Sequence, residues 1–114
     1  MAGTLYEPML VQGVVTGGAN QTHTVVRAIE IYDATVFCTA TQAGGTITIT
    51  TAAGAATDGI ACATDGAVDR AATLDNANKL AAAGSTLTFT VAGAATAGVA
   101  TVHCFVTGSG TALA

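Results

Sequence analysis

Charge is what this 114-residue sequence has least of. Three Lys or Arg and seven Asp or Glu make up 9% of it, against about 25% in an ordinary soluble domain. The three cations, Arg27, Arg70 and Lys79, stand far apart and cannot form the positive stripe that neutralises phosphates. A nucleic-acid partner is therefore not expected. Long apolar runs are also missing. Stretches such as "PMLVQGVV" fall far short of the roughly 18 residues a membrane span needs, so no membrane partner is expected either. The start, "MAGTLYEPML", has neither the basic nor the apolar segment of a secretory leader and reads as unsignalled.

Sites for chemistry are equally scarce. The three cysteines, Cys38, Cys62 and Cys104, are odd in number and widely spaced. That pattern reads as buried free thiols in a reducing compartment rather than as a disulfide framework. With His23 and His103 they could supply zinc ligands in principle, but no two stand at ligand spacing, and adjacent His103 and Cys104 face opposite sides of a strand. Asp58, Asp65, Asp69 and Asp75 could offer oxygens to calcium, yet the spacing is not that of an EF-hand and Asp-Gly pairs are ordinary turn formers. Phosphate-binding glycine motifs and nucleophile elbows are absent. The reading assigns no catalytic, cofactor-binding or metal-binding residue, expects no cofactor, and takes the chain not to be an enzyme.

What is present is small and apolar. Hydrophobic residues reach 51%, many of them alanine, while Leu, Ile, Val and Phe together supply only about a fifth of the chain. The expectation is a folded domain with a thin core. "TITIT" and "TLTFTV" alternate apolar and threonine side chains with period two, the mark of a strand with one face buried. Threonine suits the open face because its β-branch favours extended backbone. These strands open two similar phrases, "GGTITITTAAGAATDG" (Gly44–Gly59) and "GSTLTFTVAGAATAG" (Gly84–Gly98), each read as strand, Gly-bounded turn, strand, and so as corresponding hairpins. The first carries one extra residue, consistent with a bulge or a longer loop. Other strands are read at "MLVQGVVT", "THTVVRAIEIY" (Arg27 interrupting its apolar face), "ATVFCTAT" and "VATVHCFVT", with "GGANQ", "YDA" and "QAGG" as turns. Asp75 or Asn76 caps at most one short helical turn near 75–83. About seven short strands in residues 1–114 give a single all-β domain, an antiparallel β-sandwich or jelly-roll-like small barrel.

A surface with so few charges suggests cover by copies of the chain or by a partner, because charge is depleted in interface cores. Tyr6, Pro8, Met9 and Leu10 concentrate bulky groups ahead of the first strand. They are candidate partner contacts, with residues 1–10 either an extended arm over a neighbouring subunit or part of the first strand. The segment "KLAAAGSTLTFTVAGAATAGVATVHCFV" (Lys79–Val106), the Ala/Thr/Gly composition and the unsignalled start resemble small β-rich bacteriophage capsid decoration (cement) proteins, over about a quarter of the chain. The resemblance implies a homo-oligomer, a trimer above all, on the exterior of the virion, with the major capsid protein as partner and no active site. The alternative is a cell-surface or fibre-associated β-sandwich that binds carbohydrate or protein. Having no Trp and only two Tyr counts against a sugar platform without removing it.

Overall fold

The computed structural model describes residues 7–107 and two short flanking strands. Along the chain run β1 (Gly3–Thr4), β2 (Glu7–Val15), β3 (Gln21–Thr24), β4 (Ile29–Cys38), β5 (Thr46–Thr51) and β6 (Gly54–Ala55). Then come β7 (Ile60–Ala61), β8 (Val68–Arg70), β9 (Leu80–Ala81), β10 (Thr86–Ala92), β11 (Gly98–Val106) and β12 (Ala112–Leu113). One sheet is ordered β2-β11-β4, with β8 and β9 sharing the far side of β4. The other is ordered β3-β10-β5, with β6 and β7 sharing the far side of β5. β1 and β12 pair with each other in a separate ribbon. All pairings are antiparallel, and the two five-stranded sheets pack face to face as a β-sandwich.

The period-two patterns place the core as expected. Ile47, Ile49 and Thr51 of β5 are buried while Thr46, Thr48 and Thr50 turn outward. In β11 the inward set is Gly98, Ala100, Val102, Cys104 and Val106. Most of these inward groups are small, and the largest fully buried side chain is Phe89 of β10. A ring that size needs a gap in the facing sheet, and Gly13 of β2 provides it. A Cβ at Gly13 would collide with the Phe89 ring at Cε2 and Cδ2. The ring edge also meets His23, with centroids 5.4 Å apart in a T-shaped arrangement.

Long strands that follow one another lie in opposite sheets: β2 and β4 in one, β3 and β5 in the other, then β10 and β11 across from each other. This corrects the reading of the second phrase as a hairpin. Its turn at Gly93–Ala97 carries the chain from one sheet to the other, held by Thr96, whose buried hydroxyl donates to Ala92 O at 2.9 Å. The first phrase does fold back in its own sheet. Residues 56–59 bulge opposite β5, where Ile49 N donates to the Thr57 hydroxyl at 3.0 Å and fills the gap in the ladder. The two phrases end side by side, with Thr50 pairing Thr88 and Ile49 pairing Phe89.

Two further boundaries differ from expectation, at "YDA" and at 25–28, and two open readings are decided. "YDA" is not a turn. β4 runs through it as a bulge, Cys104 pairing Ile31 while His103 pairs Asp33, and the Asp33 carboxylate accepts Ala34 N at 2.8 Å. The chain breaks earlier, at 25–28 around Arg27, where it crosses between sheets. Near 75–83 a single turn closes at Asp75–Lys79 and Asp75 caps it through Ala77 N, but Leu80 and Ala81 are already extended in β9. Residues 7–10 belong to β2 and pair with β11, so they form the first strand and not an arm.

Expected outcome: Gly13→Ala and Phe89→Ala each destabilise strongly, the latter by about 3–5 kcal/mol in denaturant titration. Gly13→Ala combined with Phe89→Leu costs less than the sum of the single changes, because the smaller side chain gives the new methyl room.

Candidate interaction surface

The outer faces of the two sheets differ in chemistry. On the β3-β10-β5 sheet the register sets threonine beside threonine: Thr86 by Thr24, Thr88 by Thr22 and Thr50, Thr90 by Thr48. Their hydroxyls bond to one another, Thr50 to Thr90 at 2.9 Å and Thr22 to Thr88 at 3.3 Å. This face is polar without charge.

The outer face of the β2-β11-β4 sheet is apolar at both ends. At one end the register aligns Val14, Val99, Phe37 and Val68 in a row across β2, β11, β4 and β8. Val14, Phe37 and Val68 are 57%, 47% and 66% exposed. At the other end Tyr32 stacks on Phe105, centroids 4.6 Å apart at 28°, with His103 at 6.1 Å from Tyr32. Pro8, Leu10 and Leu80 extend this cluster through pairing with β11 and β4. Between the two ends lies a polar rung of Gln12, Thr101, Thr35 and Arg70. The charges here are internally balanced: Arg70 Nε lies 2.9 Å from Asp33 Oδ2, and Lys79 Nζ lies 3.3 Å from Glu30 Oε2.

The candidate contacts of the N-terminal segment divide. Pro8 and Leu10 are exposed on this outer face. Met9 faces the other way, packing against the core and lining a cleft of about 230 Å³ with Val11, His23, Val25, Ile29 and Leu87. Tyr6 lies outside the described residues. The row at Val14, Val99, Phe37 and Val68 was not singled out from the sequence. Its signal was available in "GVV" (13–15) and "VFC" (36–38), where apolar residues occupy both faces of a strand that needs only one for the core.

Several titratable side chains tie the fold together. Asp58 accepts Ala72 N at 2.9 Å and Thr73 N at 3.2 Å, so it ties a loop. Among the described residues no three of His, Cys, Asp and Glu gather as a metal site. All three cysteines are buried, Cys104 donating to Met9 O at 3.4 Å. Cys62 Sγ lies 2.8 Å from Cys38 Sγ and 3.2 Å from Ala97 O. Burial, then the hydrogen bond with Cys38, pushes the Cys62 thiol from 9.0 up to about 12, and burial raises Cys104. No known protein family, characterised protein or solved structure matches the chain.

The raised Cys62 value fixes a pH dependence. Below pH 9.0 the thiol is protonated in both folded and unfolded chains, and its stabilising contribution is complete. Above 9.0 only the unfolded chain releases the proton, so stability of the reduced protein falls as pH rises toward about 12. Denaturation midpoints are expected to hold steady below pH 9 and then decline, with Cys62→Ala making the decline shallower. A midpoint unchanged across that window contradicts a buried Cys62 thiol.

Proposed function

We propose that this chain is a structural, non-catalytic virion protein: a decoration subunit that cements a phage capsid by laying the outer face of the β2-β11-β4 sheet on the major capsid protein. The observation that carries the reading is the apolar row of exposed Val14, Phe37 and Val68 with half-buried Val99 between them, which spans four strands on a face where Arg70 pairs with Asp33 and Lys79 with Glu30. Interface cores favour that composition. Rigid strands also lose little side-chain entropy on docking.

Strand order lends support by analogy. Counting β6–β7 and β8–β9 each as one interrupted strand, the eight strands follow the alternating connectivity of a jelly roll, an architecture that viral capsid domains and lectins both use. Fold alone does not choose between these uses. Composition helps to choose. A sugar platform is built from open aromatic faces, and this sequence has no Trp and two Tyr. That favours packing against protein over carbohydrate recognition.

Size argues for more than one copy. Four strands about 4.8 Å apart make a face only roughly 20 Å wide. A standard interface draws on about 20–30 residues a side, more than the outward residues of four short strands supply. One subunit would dock weakly, and a homo-oligomer, a trimer in the decoration reading, multiplies the contact through effective concentration.

The first test is sedimentation of the native source material with the protein located by mass spectrometry. Recovery with virus-sized particles, at a stoichiometry comparable to the shell protein, is expected; recovery with the cell envelope or as free protein overturns the reading. With undecorated shells in hand, Phe37→Lys and Val14→Lys are expected to lower co-sedimentation at least 10-fold, while Thr48→Lys on the threonine face leaves it unchanged.

A further inference from the structure

Cys38 ends β4 in one sheet, and Cys62 follows β7 in the other. The fold brings them together from opposite layers. Cys62 N donates to Gly45 O and Cys38 N donates to Ala67 O, both at 2.8 Å, so the backbone on each side is fixed by the ladders and loops around it. Their sulfurs are 2.8 Å apart. Even carbon atoms, which are smaller, rest at about 3.5–4.0 Å when unbonded. A disulfide needs about 2.05 Å, so bonding asks for less than about 1 Å of further approach.

The surroundings make room for this contact. Gly98 of β11 is the register partner of Cys38. A Cβ there would fall 3.1 Å from Cys62 Sγ and 2.8 Å from Phe37 O, so a side chain at position 98 would press on the pair. Cys104 stands six residues further along β11, about 20 Å away, with its own backbone acceptor. The three thiols therefore divide into a pair and a single.

We infer that Cys38 and Cys62 are a disulfide-forming pair that covalently joins the two sheets. The co-reactant is a low-molecular-weight disulfide of the glutathione type. One protein thiolate attacks it, forming a mixed disulfide and releasing one small thiol. The second protein thiolate then attacks the sulfur of the first, forming the Cys38–Cys62 bond and releasing the second small thiol. Two protein thiols are oxidised, one small disulfide is reduced to two thiols, and the protons of the protein thiols pass to those products. Both sulfurs are fully enclosed in the folded chain, so the exchange takes place as the chain folds, before the sheets close over them. The bond closes a loop running from 38 to 62 and restricts the unfolded chain.

The test uses the full chain without substitution. The protein is purified reduced, unfolded, and refolded with glutathione disulfide. It is then unfolded again without reductant, alkylated and weighed intact. The expected species carries one alkyl group and lacks two hydrogens, with peptide mapping placing the label on Cys104 and the bond between Cys38 and Cys62. Its thermal midpoint is expected to exceed that of the reduced protein by about 10 °C or more. Three alkylated thiols after refolding, or a bond that includes Cys104, overturns the pairing; an unchanged midpoint overturns its stabilising role. Cys104→Ser, refolded the same way, is expected to retain the bond and take up no alkyl group.

Discussion

The sandwich depends on one contact between its layers, the Phe89 ring seated where Gly13 has no side chain. Facing sheets stand about 10 Å apart, and here valine, isoleucine, alanine and cysteine fill most of that space. Such a core is thin, and small groups alone specify relative position poorly, since many offsets pack about equally well. A single large ring facing a single gap removes that freedom. Sliding the sheets past each other along β2 would set Phe89 against Val11 or Val15, the inward side chains on either side of Gly13, where no gap exists. The T-shaped contact with His23 fixes the ring from the β3 side as well.

With the layers located, the outer faces are free to differ, and they do. Threonine on one sheet satisfies its hydroxyls laterally, through bonds such as Thr50–Thr90, and so needs no partner. Valine and phenylalanine on the other have no equivalent, and exposed apolar area gains free energy only by being covered. The same alternation of inward and outward residues thus builds one face of mutually bonded hydroxyls and one face with exposed apolar groups. The few charges are consistent with this division, since Asp33–Arg70 and Glu30–Lys79 neutralise each other at the surface where an unpaired ion would resist burial.

The all-β class, the strand at Thr46–Thr51 and the inward set of β11 were legible because period-two patterning reports burial directly. Which strand neighbours which was not legible. The second phrase was read as a hairpin because a Gly-bounded turn looks alike in sequence whether the chain returns in its own sheet or crosses to the other. "YDA" was mistaken for a turn because a bulge stabilised by the Asp33 carboxylate uses the same residue types. Cys38 and Cys62 gave no sign of proximity, since their contact is created by the sheet crossing and not by their spacing. Pro8 and Leu10 could be singled out as unusually bulky, but the separation of Met9 onto the inner face required knowing that β2 starts at Glu7.

The strand order has a consequence for how the chain is made. β10 lies at the middle of one sheet and β11 at the middle of the other, and both come from residues 86–106. Until those residues leave the ribosome, β2 has no β11 to pair with and β3 has no β10. The earlier strands emerge with their ladders open and few charges to hold them apart. Long-range pairing of this kind forms slowly even in a complete chain. Before residues 86–106 of the nascent protein are made, β4 can pair only β8 and β9, and β5 only β6 and β7, so both sheets stay half-built until β10 and β11 arrive. Its vulnerable period is set by elongation, and a pause just upstream of residue 86 would prolong it most.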